Sequence, residues 1–269
     1  MRCYHEISLW PQNSFITLTY NDDYLPSDGS LHVTHFQQFM KRLRHHAAEK
    51  VRFFHCGEYG ETTLRPHYHA ILFNKDFGDK IPWQNHNGNL LCVSSELASL
   101  WPWGFSSVGA ATFQSSAYVA RYIMKKALGT HAEEPSPHQD PETGWWINRT
   151  PYERVCPYTG EIHNVAPEYT TMSRRPGIGR DWLTQFKPDL YPNNDPSHGD
   201  FVVVQGKKMR PPKAYDQHIE LTDPKLFRAI KRTRKQRAKI HADNNTDRRL
   251  HDREICSDAR SKQLTRILG

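Results

Sequence analysis

Long apolar runs and paired cysteines are both missing from this chain of 269 residues. No stretch approaches the ~20 apolar residues that a membrane-spanning helix needs, and no basic-then-apolar leader opens the sequence. The five cysteines are far apart and form no Cys-x-x-Cys motif, which argues against a disulfide framework and a four-cysteine zinc site. We therefore expect a protein of the reducing cytoplasm that does not associate with a membrane.

Acidic residues are scarce in one part of the chain, residues 225–269. This segment holds 14 of the 36 Lys and Arg residues but only 5 of the 29 Asp and Glu residues. The net charge of +7 therefore comes from this segment, because the rest of the chain carries a small acidic excess. A basic segment of this kind favours a polyanionic partner, nucleic acid first. The alternative is a solvated, partly helical tail without a partner.

Apolar periodicity predicts an α+β core in residues 1–130. Four segments have the composition of strands, and three have helical spacing or a serine cap. The strands are predicted at Ser14–Tyr20, Val51–Tyr59, Pro66–Asn74 and Trp103–Val108, and the helices at Thr34–Lys50, Glu96–Trp101 and Ser116–Leu128. The first six elements follow the order of a ferredoxin-like βαββαβ fold. That fold is an antiparallel sheet with helices on one face, which leaves the other face free for a site.

Beyond residue 130 the periodicity fades. Six prolines between residues 131 and 167 predict a Pro-rich insertion or linker over 131–170. An accessory region over 171–222 is expected to open with a basic, glycine-containing loop at 171–180 and to include one strand at 200–205. A basic helical tail over 223–269 completes the predicted organisation.

Two histidines share one face of the third predicted strand. His67 and His69 are two residues apart, so their imidazoles point the same way. Glu58 precedes His67 by nine residues and would lie beside them if its strand pairs with theirs as a hairpin. Two imidazoles and a carboxylate suit Zn, Fe or Mn, whereas Mg prefers oxygen ligands. Because the chain has 16 histidines, a chance pair of solvent-facing side chains is the alternative.

The last predicted helix carries two tyrosines one turn apart. Tyr118 and Tyr122 share a side with three cations, opposite an apolar arc that we expect to bury against the sheet. The cations are Arg121, Lys125 and Lys126. A tyrosine attacks phosphorus only if its oxygen is activated and the phosphate is neutralised, which these cations and a metal on the histidines would achieve. Two nucleophiles suit cutting and rejoining of a strand; amphipathic tyrosines at the rim of the fold are the alternative.

The chain contains, in this order, the segments FITLTY, RPHYHAILF and YVARYIMKK. They resemble the three motifs of the rolling-circle replication initiators of the HUH endonuclease superfamily, and most of all those of gokushovirus-type microviruses. The same group is similar to this chain in CGEYGE, WPWGF, PDLYPNND and VVVQGKKMRPPKAYD, so the resemblance covers about residues 1–220. Proteins of the group usually carry a cysteine-rich stretch upstream of a segment like MRCYHE.

The resemblance implies a ferredoxin-like core of the HUH type with a metal site. His67 and His69 correspond to the metal-binding pair and Glu58 to the third ligand, and the implied cofactor is a divalent ion, Mg²⁺ or Mn²⁺. Thr17 and Thr19 lie in the first motif, whose role in such proteins is structural or DNA-contacting.

The resemblance also implies the reaction and its partners. Tyr118 and Tyr122 correspond to the paired nucleophiles, and Lys125 or Lys126 to the lysine that follows them. The implied reaction is a nick in the plus strand at the origin of double-stranded replicative DNA, a 5′-phosphotyrosine link, and later resealing. The implied partners are single-stranded origin DNA, the replicative duplex and a host helicase and polymerase in the bacterial cytoplasm.

Two other functions fit parts of the sequence. One is a single-tyrosine transposase or relaxase of the same superfamily, and the other is a non-catalytic binder of single-stranded nucleic acid that stacks bases on its sheet. We expect phosphate contacts from the tail, from the loop at 171–180, for which a plain surface loop is the alternative, and from the tyrosine helix. The residues concerned are Arg121, Arg174, Arg175, Lys231, Arg232, Arg234, Lys235 and Arg237.

Overall fold

A computed structural model describes residues 1–60, 63–86, 88–125, 135–139, 144–155, 159–191, 199–240 and 242–262. The chain divides into two compact units, residues 3–178 with Met1 and residues 179–269 with Arg2. The boundary falls inside the predicted accessory region. Within the described residues no helix has the length and apolar character needed to cross a membrane.

The strands of the first unit form a large sheet and two small hairpins. In chain order they are β1 (Asn13–Tyr20), β2 (Arg52–Tyr59), β3 (Pro66–Phe73), β4 (Ile81–His86), β5 (Asn89–Val93), β6 (Gly104–Ala110), β7 (Ser136–Gln139), β8 (Trp146–Arg149), β9 (Glu153–Val155), β10 (Ile162–Asn164) and β11 (Tyr169–Met172). The seven-stranded sheet has the order β11-β2-β3-β1-β6-β5-β4, and its pairings are antiparallel. The remaining strands pair as β7–β8 and β9–β10. The predicted α+β class with an antiparallel sheet is confirmed.

Four helices accompany the sheet: α1 (Arg2–Ile7), α2 (Val33–His46), α3 (Ser95–Leu100) and α4 (Phe113–Lys125). The four predicted strands β1, β2, β3 and β6 lie side by side in the order β2-β3-β1-β6. On one face, side chains such as Ile16, Leu18 and Leu72 join the apolar side of α2 and two leucines of α3 in a single core.

The opposite face of the sheet is covered in part by α4. Tyr118 of α4 contacts Phe15 and His69, whereas Phe36 of α2 stacks on His55. His55 and His69 belong to opposite faces, because His55 pairs in register with Ala70, the neighbour of His69 in β3. The expected arrangement of helices on one face therefore holds for α2 and α3, and α4 lies on the face that was expected to be open.

Two helix starts differ from the predicted ones. The capping box predicted at Thr34 is wrong, because α2 begins one residue earlier and its N-cap is His32, without a side-chain hydrogen bond. Helix α4 starts at Phe113 and not after Ser116, because Thr112 and Ser115 exchange hydrogen bonds between side chain and backbone N–H at 2.7 and 3.1 Å. Residues 126–129, where this helix was predicted to end, lie outside the described residues. The predicted cap of α3 at Ser94 is confirmed, since its hydroxyl accepts from the Leu97 N–H.

Several short strands lie where the sequence predicted none. The hairpin β4–β5 extends the sheet at one edge, and strands β7 to β10 fall within the segment predicted as a Pro-rich insertion. These strands are short, polar or exposed, so they lack the apolar alternation by which a half-buried strand is detected. Strand β11 joins the sheet at its other edge beside β2.

The second unit is mainly helical. It contains α5 (Arg180–Leu190), β12 (Val202–Val204), β13 (Lys207–Met209), α6 (Lys213–Thr222), α7 (Pro224–Lys239), a 3₁₀ turn at Ala242–Asn245 and α8 (Asp247–Lys262). Buried Tyr215, Ile219, Phe227 and Ile230 line the apolar sides of α6 and α7. The predicted basic helix is confirmed in α7, whose first turn is capped by the Asp223 carboxylate.

Candidate active site

Strand register brings polar side chains together on the face beneath α4. Thr19, His67 and Glu58 are partners across β1, β3 and β2. Thr17 is the partner of His69. Since residues two apart on a strand share a face, these five side chains point the same way. The hairpin that was needed to bring Glu58 beside the histidines is present.

Each imidazole is oriented by a threonine of β1. Thr17 Oγ1 lies 3.0 Å from His69 Nδ1, and Thr19 Oγ1 lies 3.0 Å from His67 Nδ1. A hydroxyl both donates and accepts, so each pair fixes the ring without fixing its tautomer. The other ring nitrogens are thereby left for other partners, and His69 Nε2 lies 2.8 Å from Glu58 Oε1.

Burial keeps His67 neutral. Desolvation, with smaller contributions from the charges of His69 and Arg65, lowers the pKa of His67 to about 4. Neutral imidazole is the form that binds metal ions. His67 Nε2 also lies against the backbone at Gly60, where an added Cβ would be 3.0 Å from it, so glycine keeps the approach to this nitrogen narrow but free of a side chain.

The donor set fits a divalent ion in its chemistry but is not assembled around one point. Glu58 Oε2 is buried and has no hydrogen-bond partner, an arrangement that is unfavourable unless a ligand uses it. Two imidazoles and a carboxylate suit a transition metal. Among the residues that the structure describes, however, no three His, Cys, Asp or Glu side chains form a group able to hold a metal. Binding an ion here requires the contact between Glu58 and His69 to be exchanged for bonds to the metal.

Helix α4 brings Tyr118 to the same place. The Tyr118 ring packs edge-on against His69 with 5.1 Å between centroids, and against Phe15 at 6.0 Å. Only 4% of Tyr118 is exposed, whereas Ala120 is exposed. The prediction that Tyr118 lies on the outer side of the helix is therefore wrong. The physical reason is that the sheet presents aromatic rings to the helix, and an aromatic edge packs well against them.

The other predicted residues of this helix are only partly described. Tyr122 follows Tyr118 by one turn and Lys125 by two turns, but their side chains lie outside the described residues, as does all of Lys126. Arg121 is half-buried. The structure thus brings Tyr118 together with His69, and the roles of Tyr122, Lys125 and Lys126 stay predictions.

The residues predicted to contact phosphate have different surroundings. Exposed side chains are found at Arg174, Arg175, Lys231, Arg232 and Lys235, and Arg237 is half-buried. Lys231 Nζ lies 3.2 Å from Glu220 Oε1 in a solvent-exposed pair, which is weak and open to exchange.

Arg234 differs from these residues because it is held inside the second unit. Its Nε donates to Asp200 at 2.7 Å and its Nη1 to Asp216 at 2.7 Å, and the two carboxylates raise its pKa further above the usual range. Tyr191 donates a hydrogen bond to the same Asp216 carboxylate at 2.7 Å. The expected phosphate contact by Arg234 is therefore corrected to a structural ion pair, which the sequence hid because both acids come from other segments.

Sequence reasoning missed the part played by Phe15. It lies two residues before Thr17 and therefore shares its face, where it supports Tyr118. The alternation Phe15, Thr17, Thr19 within FITLTY carried this information, since the intervening Ile16 and Leu18 form the core of the opposite face.

Comparison with known proteins gives a consistent set of matches. A family model for the replication-associated protein ORF2 matches residues 13–127, a range that starts with β1 and includes all of α4. The chain is 28% identical over 236 residues to the replication-associated protein VP4 of Bdellovibrio phage phiMH2K, which covers 84% of this chain and 64% of that protein. It thus spans a little less than two thirds of that relative.

Two further relatives carry similar names. The chain is 27% identical over 275 residues to the replication-associated protein ORF2 of Spiroplasma virus 4, covering 96% of this chain and 70% of that protein. It is 36% identical over 124 residues to the replication-associated protein ORF4 of Chlamydia phage 1, covering 43% of this chain and 31% of that protein. No solved structure matches the chain.

Proposed function

This chain is a relative of the replication-associated proteins of microviruses, as its motifs predicted, and on that premise we propose that it is a tyrosine endonuclease that starts rolling-circle replication. The observation that carries the proposal is the packing of Tyr118 against His69, at 5.1 Å between ring centroids. A candidate nucleophile and a candidate metal ligand share one site. The βαββαβ order, with β3 and β1 central among the four core strands, supports a ferredoxin-like core of the HUH type.

In the proposed complex a single strand of origin DNA lies across the sheet beside α4. Thr17 and Thr19 hold the rings of His69 and His67, and Glu58 turns from His69 to complete a site for Mg²⁺ or Mn²⁺. When bound, such an ion supplies positive charge to a phosphate oxygen. The protein's part is to fix the two rings and keep them neutral, so that their nitrogens face the phosphate.

The proposed chemistry exchanges one phosphoester bond for another. The Tyr118 oxygen attacks phosphorus and loses its proton, the bond from phosphorus to the 3′ oxygen breaks, and that oxygen takes up a proton. The 5′ phosphate stays on the tyrosine, so a later attack by a 3′ hydroxyl reseals the strand without an added energy source. Tyr122, one turn away, attacks a second phosphate, and Lys125 or Lys126 supplies charge to the developing phenolate.

The proposed partners are those of an initiator. The replicative duplex supplies the origin, and a host helicase and polymerase in the bacterial cytoplasm extend the freed 3′ end. Exposed cations of α7, among them Arg232 and Lys235, contact phosphates flanking the origin. Deleting residues 225–269 should then lower both the affinity for DNA and its dependence on salt, because each neutralised phosphate releases a counterion.

The experiment that tests the proposal is formation of a covalent protein–DNA adduct. The protein is mixed with Mn²⁺ and single-stranded DNA from the plus strand of the genome that encodes it, and the products are separated on a denaturing gel. We expect an adduct that disappears in EDTA and in the double variant Tyr118→Phe/Tyr122→Phe, with exposed Tyr24→Phe as the matched control. No adduct from the wild type, or an undiminished adduct from the double variant, rejects the proposal. Strongly unequal single variants favour the single-tyrosine transposase or relaxase.

A further inference from the structure

We propose that Phe105 is a stacking platform for an unpaired base of single-stranded DNA, next to the candidate active site. The inference rests on the proposed function, because it assigns the path by which the DNA strand reaches that site. It goes beyond the nicking chemistry, because it concerns how the strand is held and is testable without any bond being broken.

Phe105 is unusually open for an aromatic residue inside a sheet. It lies in β6, which has β1 on one side and β5 on the other, and yet 71% of it is exposed. A single exposed apolar side chain needs no explanation by itself. The position of this one relative to the histidines is what gives it meaning.

Strand register ties Phe105 to the candidate site. Phe105 is the partner of Thr19, and Thr19 is the partner of His67, to which it is also hydrogen-bonded. Directly paired residues share a face, so the Phe105 ring stands on the same face as the histidines, two strand spacings or about 10 Å away. Gly104 makes the alignment possible, since a Cβ there would collide with the backbone at Thr19 and Asn21.

The apolar surface continues away from the histidines. Val93 follows Cys92, the partner of Val108, and it therefore lies on the same face as Phe105. Val93 is 37% exposed, and its partner Ile81 is 62% exposed. Phe105, Val93 and Ile81 form an apolar strip that starts beside the histidine strand and runs to the edge of the sheet.

An unstacked nucleobase fits this strip better than other occupants. The bases of a single strand have apolar faces that stack on aromatic rings with little regard to sequence, whereas the bases of a duplex are closed to such contact. A cation lies nearby for the backbone phosphates. Arg65 donates to the carbonyl of Tyr20, whose strand partner is Gly104, and its ion pair with Asp22 is exposed enough to exchange for phosphate.

The test measures binding of single-stranded DNA to the full chain in EDTA, where no cleavage is expected. The probes are a fluorescent oligothymidylate of about 20 nucleotides, longer than the ~4–16 that one single-strand-binding fold covers, and an abasic strand of the same length. The variants are Phe105→Ala and Phe105→Trp. The control is Ile162→Ala, which removes a side chain of similar exposure, 68%, from β10.

We expect Phe105→Ala to weaken binding of oligothymidylate by about tenfold, as for the loss of one stacked base. Binding of the abasic strand, the salt dependence and the melting temperature should stay unchanged. Phe105→Trp and Ile162→Ala should bind like the wild type. At saturating origin DNA with Mn²⁺, Phe105→Ala should still form the covalent adduct, so a failure of the stacking site and a failure of the proposed chemistry are distinguishable.

Three results overturn the inference. One is unchanged binding by Phe105→Ala, or no binding of oligothymidylate by the wild type. Another is an equal loss of affinity for both probes, which indicates a change in phosphate contacts. The last is a change in self-association on sedimentation with no change in DNA affinity, which assigns the strip to contact between copies of the chain.

Discussion

The two faces of the seven-stranded sheet use the same strands for different purposes. On one face, Ile16 and Leu18 of β1 are fully enclosed in the apolar core with α2. On the other, Thr17 and Thr19 of the same strand hold the rings of two histidines. Because side chains alternate along a strand, one segment of eight residues serves both stability and the candidate chemistry.

Two histidine–threonine pairs sharpen the comparison. On the core face, His55 Nδ1 lies 3.0 Å from Thr171 Oγ1, and its ring stacks on Phe36 at 3.4 Å between centroids. On the site face, His69 makes the equivalent contact with Thr17 and in addition reaches Glu58. The same pair is thus structural where the ring is closed in by aromatic residues and a candidate ligand where a carboxylate and a tyrosine face it.

The largest expected effect on activity comes from exchanging a histidine on one face and not on the other. We predict that His69→Ala lowers adduct formation by more than the ~10–100-fold that loss of an outer partner of a metal ligand costs. The matched variant His55→Gln, on the core face, should leave the adduct yield per folded molecule unchanged. Quantitative denaturing gels with Mn²⁺ measure both, and similar losses in the two variants would remove the distinction between the faces.

The largest expected effect on stability comes from the core face. Leu18→Ala removes a fully enclosed side chain and should lower the free energy of unfolding by about 2–5 kcal/mol. Adduct formation measured well below the melting temperature should change little. Urea titrations give the stability, and a loss of chemistry in fully folded Leu18→Ala would show that the faces are not separable.

The elements that the sequence predicted correctly are those whose burial depends on their own pattern. Strands β1, β2 and β3 alternate apolar and polar residues or are apolar throughout, and so they were found within one residue of their bounds. The hairpin β4–β5 was missed because its edge strand reads IPWQNH, with a proline and no apolar alternation. Local sequence suffices where a strand is central and fails where it is exposed.

The orientation of side chains that depend on distant partners was not predictable. The burial of Tyr118 follows from rings supplied by Phe15 and His69, which hydropathy along α4 does not report. Arg234 looked like any other cation of a basic helix until Asp200 and Asp216 were found against it. In both cases the deciding contact joins residues far apart in the chain.

A smaller effect is expected from the threonine beside His69. Thr17→Val keeps the shape of the side chain but removes the hydroxyl, and should weaken Mn²⁺ binding by about 10–100-fold. Thr17→Ser should restore most of it, and Thr171→Val should leave Mn²⁺ affinity unchanged. Electron paramagnetic resonance of free Mn²⁺ measures the affinity without any turnover. Equal affinities in wild type and Thr17→Val would contradict the assigned positioning.

The smallest effect concerns acid stability. Burial lowers the pKa of His5 to about 4 from 6.5, so the unfolded chain binds a proton that the folded chain does not in the range between these values. Stability contributed by neutral His5 is complete above pH 6.5 and falls as the pH drops towards 4, by about 1.4 kcal/mol per pH unit. We predict that His5→Asn flattens the decline between pH 6.5 and 5.5 in urea titrations. An unchanged slope would contradict the buried, neutral state of His5.

The most direct test of the central claim is to identify the residue that carries DNA after the reaction. The adduct formed with Mn²⁺ is digested with nuclease and protease, and the linked peptide is sequenced by mass spectrometry. The account predicts a nucleotide attached to Tyr118 or Tyr122 in the helix that faces the two histidines. Attachment to any residue outside that helix would contradict it.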